Sequence, residues 1–450
     1  MKYMEIVIAG AGAVGTHLAK MLSYENHNII VIDKDEVKLK YIQSHFETLT
    51  INGSVISQKT LNEAAVGNCD LFISVSPTEE LNIVSCMLAK NMGAKRTIAR
   101  IDNYEYLIPK NKDFFKSKGI DSLIYPEMLA ARQVIGLLRQ VGTSEKFEFA
   151  GGKLSLMAIT LDKNALIINK TLKEASQIND TSDYRVVSIT RDSKTIIPKG
   201  DDIFLENDLV HVISNQAGIS NLMKFSGKEQ YFIKDIMILG GSRIGKRTAR
   251  ELQDNFNIKL IEVDTDKCNL LADELGKTTI LNEDGTNKEL LIESGIENMD
   301  AFIAVTENSD TNILSCMLAK RLGVRKTIAE IENIDFIELA KSVGIDTIIN
   351  KKHIAASHIF RFTMKADVAA FQCLSGMEAE VLEFVVQPNS LITRKKLRKL
   401  KFSKDAIIGG VIRSDSSFIA TGDTVINAYD KVVVFAKPNA VHKIEKFFIS

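Results

Sequence analysis

The sequence predicts an α/β protein of two Rossmann-like, doubly wound parallel-sheet domains, each followed by a small α+β lobe. Three observations predict it. Residues 81–90 read LNIVSCMLAK and residues 311–320 read TNILSCMLAK, identical at eight of ten positions across an offset of 230 residues. Each copy lies 71 residues beyond the first glycine of a glycine-rich turn, Gly10 or Gly240. Both stretches alternate short apolar strands with amphipathic helices, the pattern of a parallel sheet covered on both faces. Length alone suggests about three domains for 450 residues. The duplication makes four, as two pairs: 1–143, 144–229, 230–369 and 370–450.

The first unit opens with the buried-type strand Glu5–Ala9, the turn Gly10–Gly15, and a helix from Thr16 to about Ser23. A second strand fits Asn28–Asp33 and a second helix Lys34 to about His45. Strands then fit Glu47–Ile51, Leu71–Val75 and Arg96–Ile101, with right-handed crossovers between them. Residues 126–142 read as one amphipathic helix. From Lys146 the pattern changes to short strands at Lys153–Leu161, Arg185–Thr190, Thr195–Ile197 and Leu209–Ile213, with turns at 191–194 and 198–201. The cycle restarts at Tyr231, with strands at Ile236–Leu239, Lys259–Asp264, Ala301–Val305 and Lys326–Ile331. A second lobe from about Phe371 echoes the first through Gly422-Asp423 and Asp430–Phe435.

Composition narrows the function. Net charge is zero, which gives no electrostatic case for a nucleic-acid partner. The five cysteines form no C-x-x-C pair and offer neither a metal site nor a disulfide framework. Cys86 and Cys316 are repeat-equivalent and sit among apolar residues, as small core thiols do. No signal peptide and no run of about 18 apolar residues is visible, so no direct membrane span is expected. The seven histidines form no acid–base constellation. His353 and His358 fall about 140° apart on a predicted helix, too far to share a metal.

Gly10, Gly12 and Gly15 fit the dinucleotide fingerprint. The first permits the tight turn, the second leaves the backbone open to a pyrophosphate, and the third lets helix and strand pack closely. Ala11, Ala13 and Val14 complete the turn. Asp33 ends the next strand, 18 residues past Gly15, where a carboxylate accepts both ribose hydroxyls. Asn52-Gly53-Ser54 and Val75-Ser76 end later strands, on the side where open α/β sheets bind ligands. Arg100 ends the fifth strand, placed either to reach a phosphate or to form a surface ion pair.

The second turn runs Gly240, Gly241, Ser242, Arg243, Ile244, Gly245. Ser242 stands in place of Gly12, and Arg243 in place of Ala13 adds a phosphate partner. Around Ser242 the run resembles a nucleophile elbow, but Ile244 occupies the position its second glycine requires. By residue type Asp264 matches Asp33, Asp284-Gly285-Thr286 matches Asn52-Gly53-Ser54, Val305-Thr306 matches Val75-Ser76, and Glu330 stands opposite Arg100. The two sites are expected to differ in ligand or occupancy. Seven cations, Arg394, Lys395, Lys396, Arg398, Lys399, Lys401 and Lys404, fall within eleven residues of the last lobe, readable as a solvated helix face or as contact with an anionic partner, lipid or ligand.

The order GAGAVG, VID, NGS, ISVSPTEELNIVSCMLAK, TIARI, followed by GGSRIG, IEVD, DGT, IAVTENSDTNILSCMLAK, resembles the tandem modules of the family that regulates potassium conductance. With its attached lobes the chain is similar, over essentially its whole length, to the peripheral subunits of bacterial Trk potassium uptake systems. That resemblance implies NAD(H) and/or ATP/ADP as ligands, held by the Gly10–Gly15 turn, Asp33, Ser54, Ser76 and Arg100. It implies a homo-oligomeric ring on the cytoplasmic face of a potassium-translocating, TrkH-like membrane subunit, gated by nucleotide and without catalysis. An NAD-dependent oxidoreductase is the competing expectation, and an empty scaffold a third.

Overall fold

The structure, a computed structural model, describes residues 4–23, 27–138, 145–178, 183–191, 194–215, 217–218, 233–333, 335–364, 366–373, 379–437 and 440–450. The expected boundaries at 143/144 and 229/230, the restart at Tyr231 and the turn residues 192–193 lie outside the described residues.

The first module comprises β1 (Glu5–Ala9), α1 (Ala13–Ser23), β2 (Asn28–Asp33), α2 (Glu36–His45), β3 (Leu49–Asn52), α3 (Gln58–Glu63), β4 (Leu71–Ser74), α4 (Glu79–Met92), β5 (Arg96–Arg100), α5 (Pro109–Ser117) and β6 (Ser122–Ile124), then α6 (Pro126–Leu138). Its six strands order as β3-β2-β1-β4-β5-β6, all parallel. Ile6, Val7, Ile8 and Ala9 of β1 are all buried, because helices cover both faces of a central parallel strand. That is why the strand reads as a continuous apolar run. Helix α2 starts where Asp35 accepts hydrogen bonds from the Val37 and Lys38 N–H groups. Helix α4 stops at Gly93, whose φ of 119° suits glycine. The three-residue strand β6 was too short to carry a pattern of its own.

The first lobe follows as β7 (Glu145–Phe149), β8 (Leu154–Thr160), α7 (Leu172–Ile178), β9 (Tyr184–Arg191), β10 (Lys194–Ile196) and β11 (Leu209–Ser214), an antiparallel sheet ordered β10-β9-β11-β8-β7. The second module repeats the first: β12 (Asp235–Leu239), α8 (Arg243–Leu252), β13 (Asn257–Glu262), α9 (Thr265–Glu274), β14 (Thr278–Asn282), α10 (Lys288–Glu293), β15 (Ala301–Ala304), α11 (Ser309–Arg321), β16 (Lys326–Glu330), α12 (Asp335–Ser342), β17 (Thr347–Ile349) and α13 (Lys351–Phe360). Its strand order β14-β13-β12-β15-β16-β17 matches the first module strand for strand. The second lobe holds β18 (Asp367–Cys373), β19 (Glu380–Val385), β20 (Ala406–Arg413), β21 (Ser416–Ile419), β22 (Lys431–Ala436) and α14 (Val441–Glu445).

Both lobes repeat one ion pair. Arg191 donates from Nε and Nη2 to the two oxygens of Asp208, each at 2.7 Å, and Arg413 does the same to Asp430 at 2.9 and 2.7 Å. Both carboxylates are buried, so the two-point fork replaces the water they lose. The lobes also share an apolar core, in which Phe149, Leu156 and Ile213 meet Val381, Val433 and Phe435.

The chain forms two compact units, residues 1–129 with 351–364, and residues 130–350 with 365–450. Helix α13, inside the stretch 230–369 that the sequence assigns to the second domain, therefore packs in the first unit. There it lies along α1, with the rings of His17 and His353 4.9 Å apart. Burial, with the charges of His353 and Lys20 adding to it, depresses the His17 imidazole to about 3, so it is neutral at physiological pH.

Candidate nucleotide site

The strand order of the first module reverses between β1 and β4, the place where an open α/β sheet leaves a crevice at its carboxyl edge. The Gly10–Gly15 turn and Val75-Ser76 face each other there. Gly10 holds a φ of +114°, and a Cβ on it would sit 2.9 Å from the Ser76 nitrogen. A Cβ on Gly15 would lie 1.9 Å from the Gly10 oxygen, so both glycines are required by the fold itself. Gly12 differs: a Cβ there would meet nothing within 4 Å. No packing contact demands a glycine at this position. It leaves open space at the amino end of α1, where unpaired N–H groups and the helix dipole favour an anion.

Asp33 stands at the carboxyl end of β2, aimed at the turn. Its Oδ2 accepts from the Ala11 N–H at 2.6 Å and its Oδ1 from the Asp35 N–H at 2.9 Å. The carboxylate is only partly buried, which leaves its outer lone pairs accessible. Gly53 follows β3 with its N–H on the Asp33 carbonyl at 2.9 Å, and Asn52 donates to the Lys34 carbonyl at 3.1 Å. Ser54 is half-buried beside them, its carbonyl accepting from the Ser57 N–H at 3.0 Å. Val75 is buried, with its N–H on the Ala9 carbonyl at 2.8 Å.

Two residues are placed differently from a simple ligand contact. The Ser76 hydroxyl donates to Asn82 Oδ1 at 2.8 Å, and the Ser76 N–H donates to the same oxygen at 2.8 Å. Arg100 sits between two acids, with Nη2 3.3 Å from Asp102 Oδ1 and 3.7 Å from Glu127 Oε1. Its Nε is buried without a hydrogen-bond partner. Arg100 is thus engaged by carboxylates, in a partly buried cluster rather than at the surface.

Asn82, absent from the expected site, is its organising residue. It is buried and makes five side-chain hydrogen bonds: it accepts from Ser74 Oγ, Ser76 N and Ser76 Oγ, and donates to the Ser76 and Arg100 carbonyls. It thereby fixes the ends of β4 and β5 to α4. Asn312 does the same in the second module, accepting from Thr306 N and Oγ1 and donating to the Thr306 and Glu330 carbonyls. This is the asparagine of the repeated N-I-x-S-C segment, so the signal was in the sequence. The cysteine of that segment is inert: Cys86 and Cys316 are fully buried, which pushes both thiols far above their ordinary value.

The second module corrects two equivalences. Register pairs Leu239 with Ile261 as it pairs Ala9 with Ile32, so the residue equivalent to Asp33 is Glu262. Glu262 Oε2 accepts from the Gly241 N–H at 2.9 Å and Oε1 from the Asp264 N–H at 3.0 Å, as Asp33 does with Ala11 and Asp35. Asp264 is instead the N-cap of α9, accepting from the Lys267 N–H at 3.0 Å. Helix α8 is one residue shorter than α1, which shifts the offset from 230 to 229 at β13, and an aspartate just beyond the strand end hides the shift. Likewise Asn282, facing Glu262 as Asn52 faces Asp33, is the counterpart of Asn52. Asp284 then stands where Ser54 does, turned back on the Thr286 N–H and hydroxyl at 2.9 and 2.7 Å. The pairs Val75-Ser76 with Val305-Thr306, and Arg100 with Glu330, keep the positions expected of them.

The second crevice is chemically distinct. Gly240 and Gly245 keep the tight turn, with would-be Cβ atoms 2.9 Å from the Val305 oxygen and 2.1 Å from the Gly240 oxygen. Ser242 caps its own helix, accepting from the Gly245 N–H at 3.3 Å. Ile244 is buried and Arg243 exposed at the first turn. The longer Glu262 lies against Gly241, where a Cβ would meet Leu271 Cδ1 at 2.5 Å and Glu262 Oε2 at 2.9 Å. Glu330 is buried where the first module has a cation.

Two parallel sheets with glycine turns at their switch points, each continued by an antiparallel lobe, define a tandem pair of Rossmann-type nucleotide modules. The TrkA-N domain family matches residues 6–126 and 236–351, and the TrkA-C domain family residues 156–227 and 381–449. The chain is 32% identical to Trk system potassium uptake protein TrkA homolog 1 of Methanosarcina mazei, covering 99% of this chain and 100% of that one. It is 31% identical to the Trk system potassium uptake protein TrkA of Haemophilus influenzae, covering 99% and 98%. The solved GsuK channel bound to NAD shares the fold at a TM-score of 0.61 and 15% identity, over 99% of this chain and 79% of that one. The chain belongs to the TrkA family of Trk-system potassium uptake proteins.

Among the described residues no helix is long and apolar enough to cross a membrane, and no group of histidine, cysteine, aspartate and glutamate could hold a metal ion.

Proposed function

We propose that this chain is a peripheral nucleotide-binding regulatory subunit that gates a potassium-translocating membrane protein. In this reading it acts as a homo-oligomeric ring on the cytoplasmic face. The single observation that carries the nucleotide role is the first crevice: open space over Gly12 at a helix amino end, beside a carboxylate already aimed at the turn. The ligand is NAD(H) and/or ATP/ADP. Asp33 accepts the ribose hydroxyls and the α1 amino end takes the phosphates. The adenosine half is common to both nucleotides, so these residues do not distinguish them. GsuK, which shares the fold, is a channel bound to NAD, and the curated relatives are potassium uptake proteins; both support the reading.

A binding site acts on a distant pore only through different affinities for two conformations. A coupling of about 1–3 kcal/mol suffices. Asn82 offers the route, because it ties Ser76 at the crevice to the Arg100 carbonyl and to α4. In the second module Ser242 stands where Gly12 leaves open space, and buried Glu330 stands where the first module has Arg100, so the same nucleotide binds more weakly there or not at all.

The test is potassium flux through the co-purified membrane subunit, with and without nucleotide. We expect nucleotide to change the flux with wild-type chain and not with Asp33→Ala. Flux indifferent to nucleotide in both, or hydride turnover of NAD with a hydroxy or oxo substrate, would contradict a gating role.

A further inference from the structure

The second lobe carries charges that its fold does not need. Residues 394–404 hold Arg394, Lys395, Lys396, Arg398, Lys399, Lys401 and Lys404 and no carboxylate. The segment folds not as a helix face but around one short 3-10 turn, Leu397–Lys399, just after another at Leu391–Thr393. All seven cations are exposed. Lys396 and Arg398 share one acid, Asp423, each at 3.0 Å. Arg394, Lys395, Lys399, Lys401 and Lys404 have no carboxylate partner among the described residues; Arg394 reaches only the Asn389 carbonyl, at 3.5 Å.

The duplication supplies an internal control. In the first lobe Leu172 and Lys173 donate their N–H groups to the Asp202 and Gly200 carbonyls, as Leu397 and Arg398 donate to Thr424 and Gly422. Yet the eleven residues that correspond, 169–179, contain two lysines, Lys170 and Lys173, the second paired with Asp201 at 2.7 Å, and one glutamate. The same two backbone bonds are thus made without the charge, there at the start of α7. In a chain whose net charge is zero, this is a segregated cationic face.

We propose that this face rests on an anionic phospholipid surface. Five of its seven cations are lysines, mobile point charges suited to a diffuse negative field rather than to fixed two-point recognition. Leu391 and Val425, 41% and 44% exposed, stand at the edges of the segment, and Val425 adjoins Thr424, which is bonded to Leu397. Apolar side chains beside lysines suit the boundary between headgroups and acyl chains. The contact is independent of the gating role, because it needs no membrane protein.

The test is co-sedimentation of the full chain with phosphatidylcholine vesicles, with and without phosphatidylglycerol. We expect binding only where phosphatidylglycerol is present, weakening as salt is raised. Each lysine near such a surface strengthens binding roughly fivefold, so the triple variant Lys395→Gln, Lys399→Gln, Lys401→Gln should lose roughly a hundredfold. A control triple in the first lobe, Lys163→Gln, Lys194→Gln, Lys199→Gln, removes the same net charge and should bind as wild type. All six side chains are exposed, and an unchanged melting temperature establishes folding. No binding to either vesicle, equal binding to both, or equal loss in the two triples would overturn the proposal.

Discussion

Asn82→Leu is expected to destabilise the first module by about 3 kcal/mol or more and to remove its response to nucleotide. The substitution keeps the number and branching of side-chain heavy atoms and its methyl groups are bulkier than the amide, so no cavity is left. What it removes are five hydrogen bonds inside the sheet edge. The Ser76 N–H and the Ser76 and Arg100 carbonyls lose the partner they have in the folded state, and each such buried group costs about 1–3 kcal/mol. Ser76 forms the wall against which Gly10 packs, so the turn loosens as well. Urea unfolding followed by a probe in each module would measure it. Asn312→Leu should act in the same way on the second module, where four such bonds are lost. A loss below about 1 kcal/mol in Asn82→Leu would mean that the strand ends are held by something else.

Asp33→Ala should weaken nucleotide binding about 10- to 100-fold, since a hydrogen bond to a charged group contributes about 1.5–3 kcal/mol and 1.4 kcal/mol is tenfold. The two modules suggest a sharper version. Glu262 reaches the N–H of Gly241, where a Cβ would come within 2.9 Å of its Oε2 and 2.5 Å of Leu271 Cδ1, whereas Asp33 faces Ala11. Asp33→Glu alone should therefore bind poorly and fold less stably. Adding Ala11→Gly should restore the stability and give a first crevice with the carboxylate geometry of the second. If the restored double variant binds as wild type does, carboxylate length is not what separates the two sites. Calorimetric titration on the three variants decides this.

Much of the fold could be read from the residues. Buried parallel strands such as Ile6–Ala9 announce themselves as apolar runs, and the tight glycine turns as Gly10 and Gly240. The duplicated segment fixed the second module's place. What residue type could not supply was register. Asp264 looks like Asp33 in sequence, but only the pairing of β12 with β13 shows that Glu262 holds that place. Asp284-Gly285-Thr286 likewise imitates Asn52-Gly53-Ser54 by residue type, two positions beyond the true counterpart Asn282. Hydrogen-bond direction was equally hidden: the hydroxyl of Ser76 and the guanidinium of Arg100 sit at the expected strand ends, yet one is engaged by Asn82 and the other by Asp102 and Glu127. The packing of α13 beside α1 is a contact across more than 300 residues, which local patterning cannot encode.

If the first crevice holds the nucleotide and the second does not serve equally, Gly12→Asp should abolish binding. A Cβ at this position meets nothing within 4 Å, and Gly12 already supplies the carbonyl that accepts the first bond of α1, from Thr16 at 2.8 Å. Aspartate is a favourable helix N-cap, so folding is unharmed, while its charge occupies the place of the pyrophosphate. Titrating NADH and ADP into wild type, Gly12→Asp and Ser242→Asp, with melting temperatures recorded in parallel, should show high-affinity binding lost in Gly12→Asp without loss of thermal stability and retained in Ser242→Asp. Retention in Gly12→Asp, or loss in Ser242→Asp alone, would contradict the account.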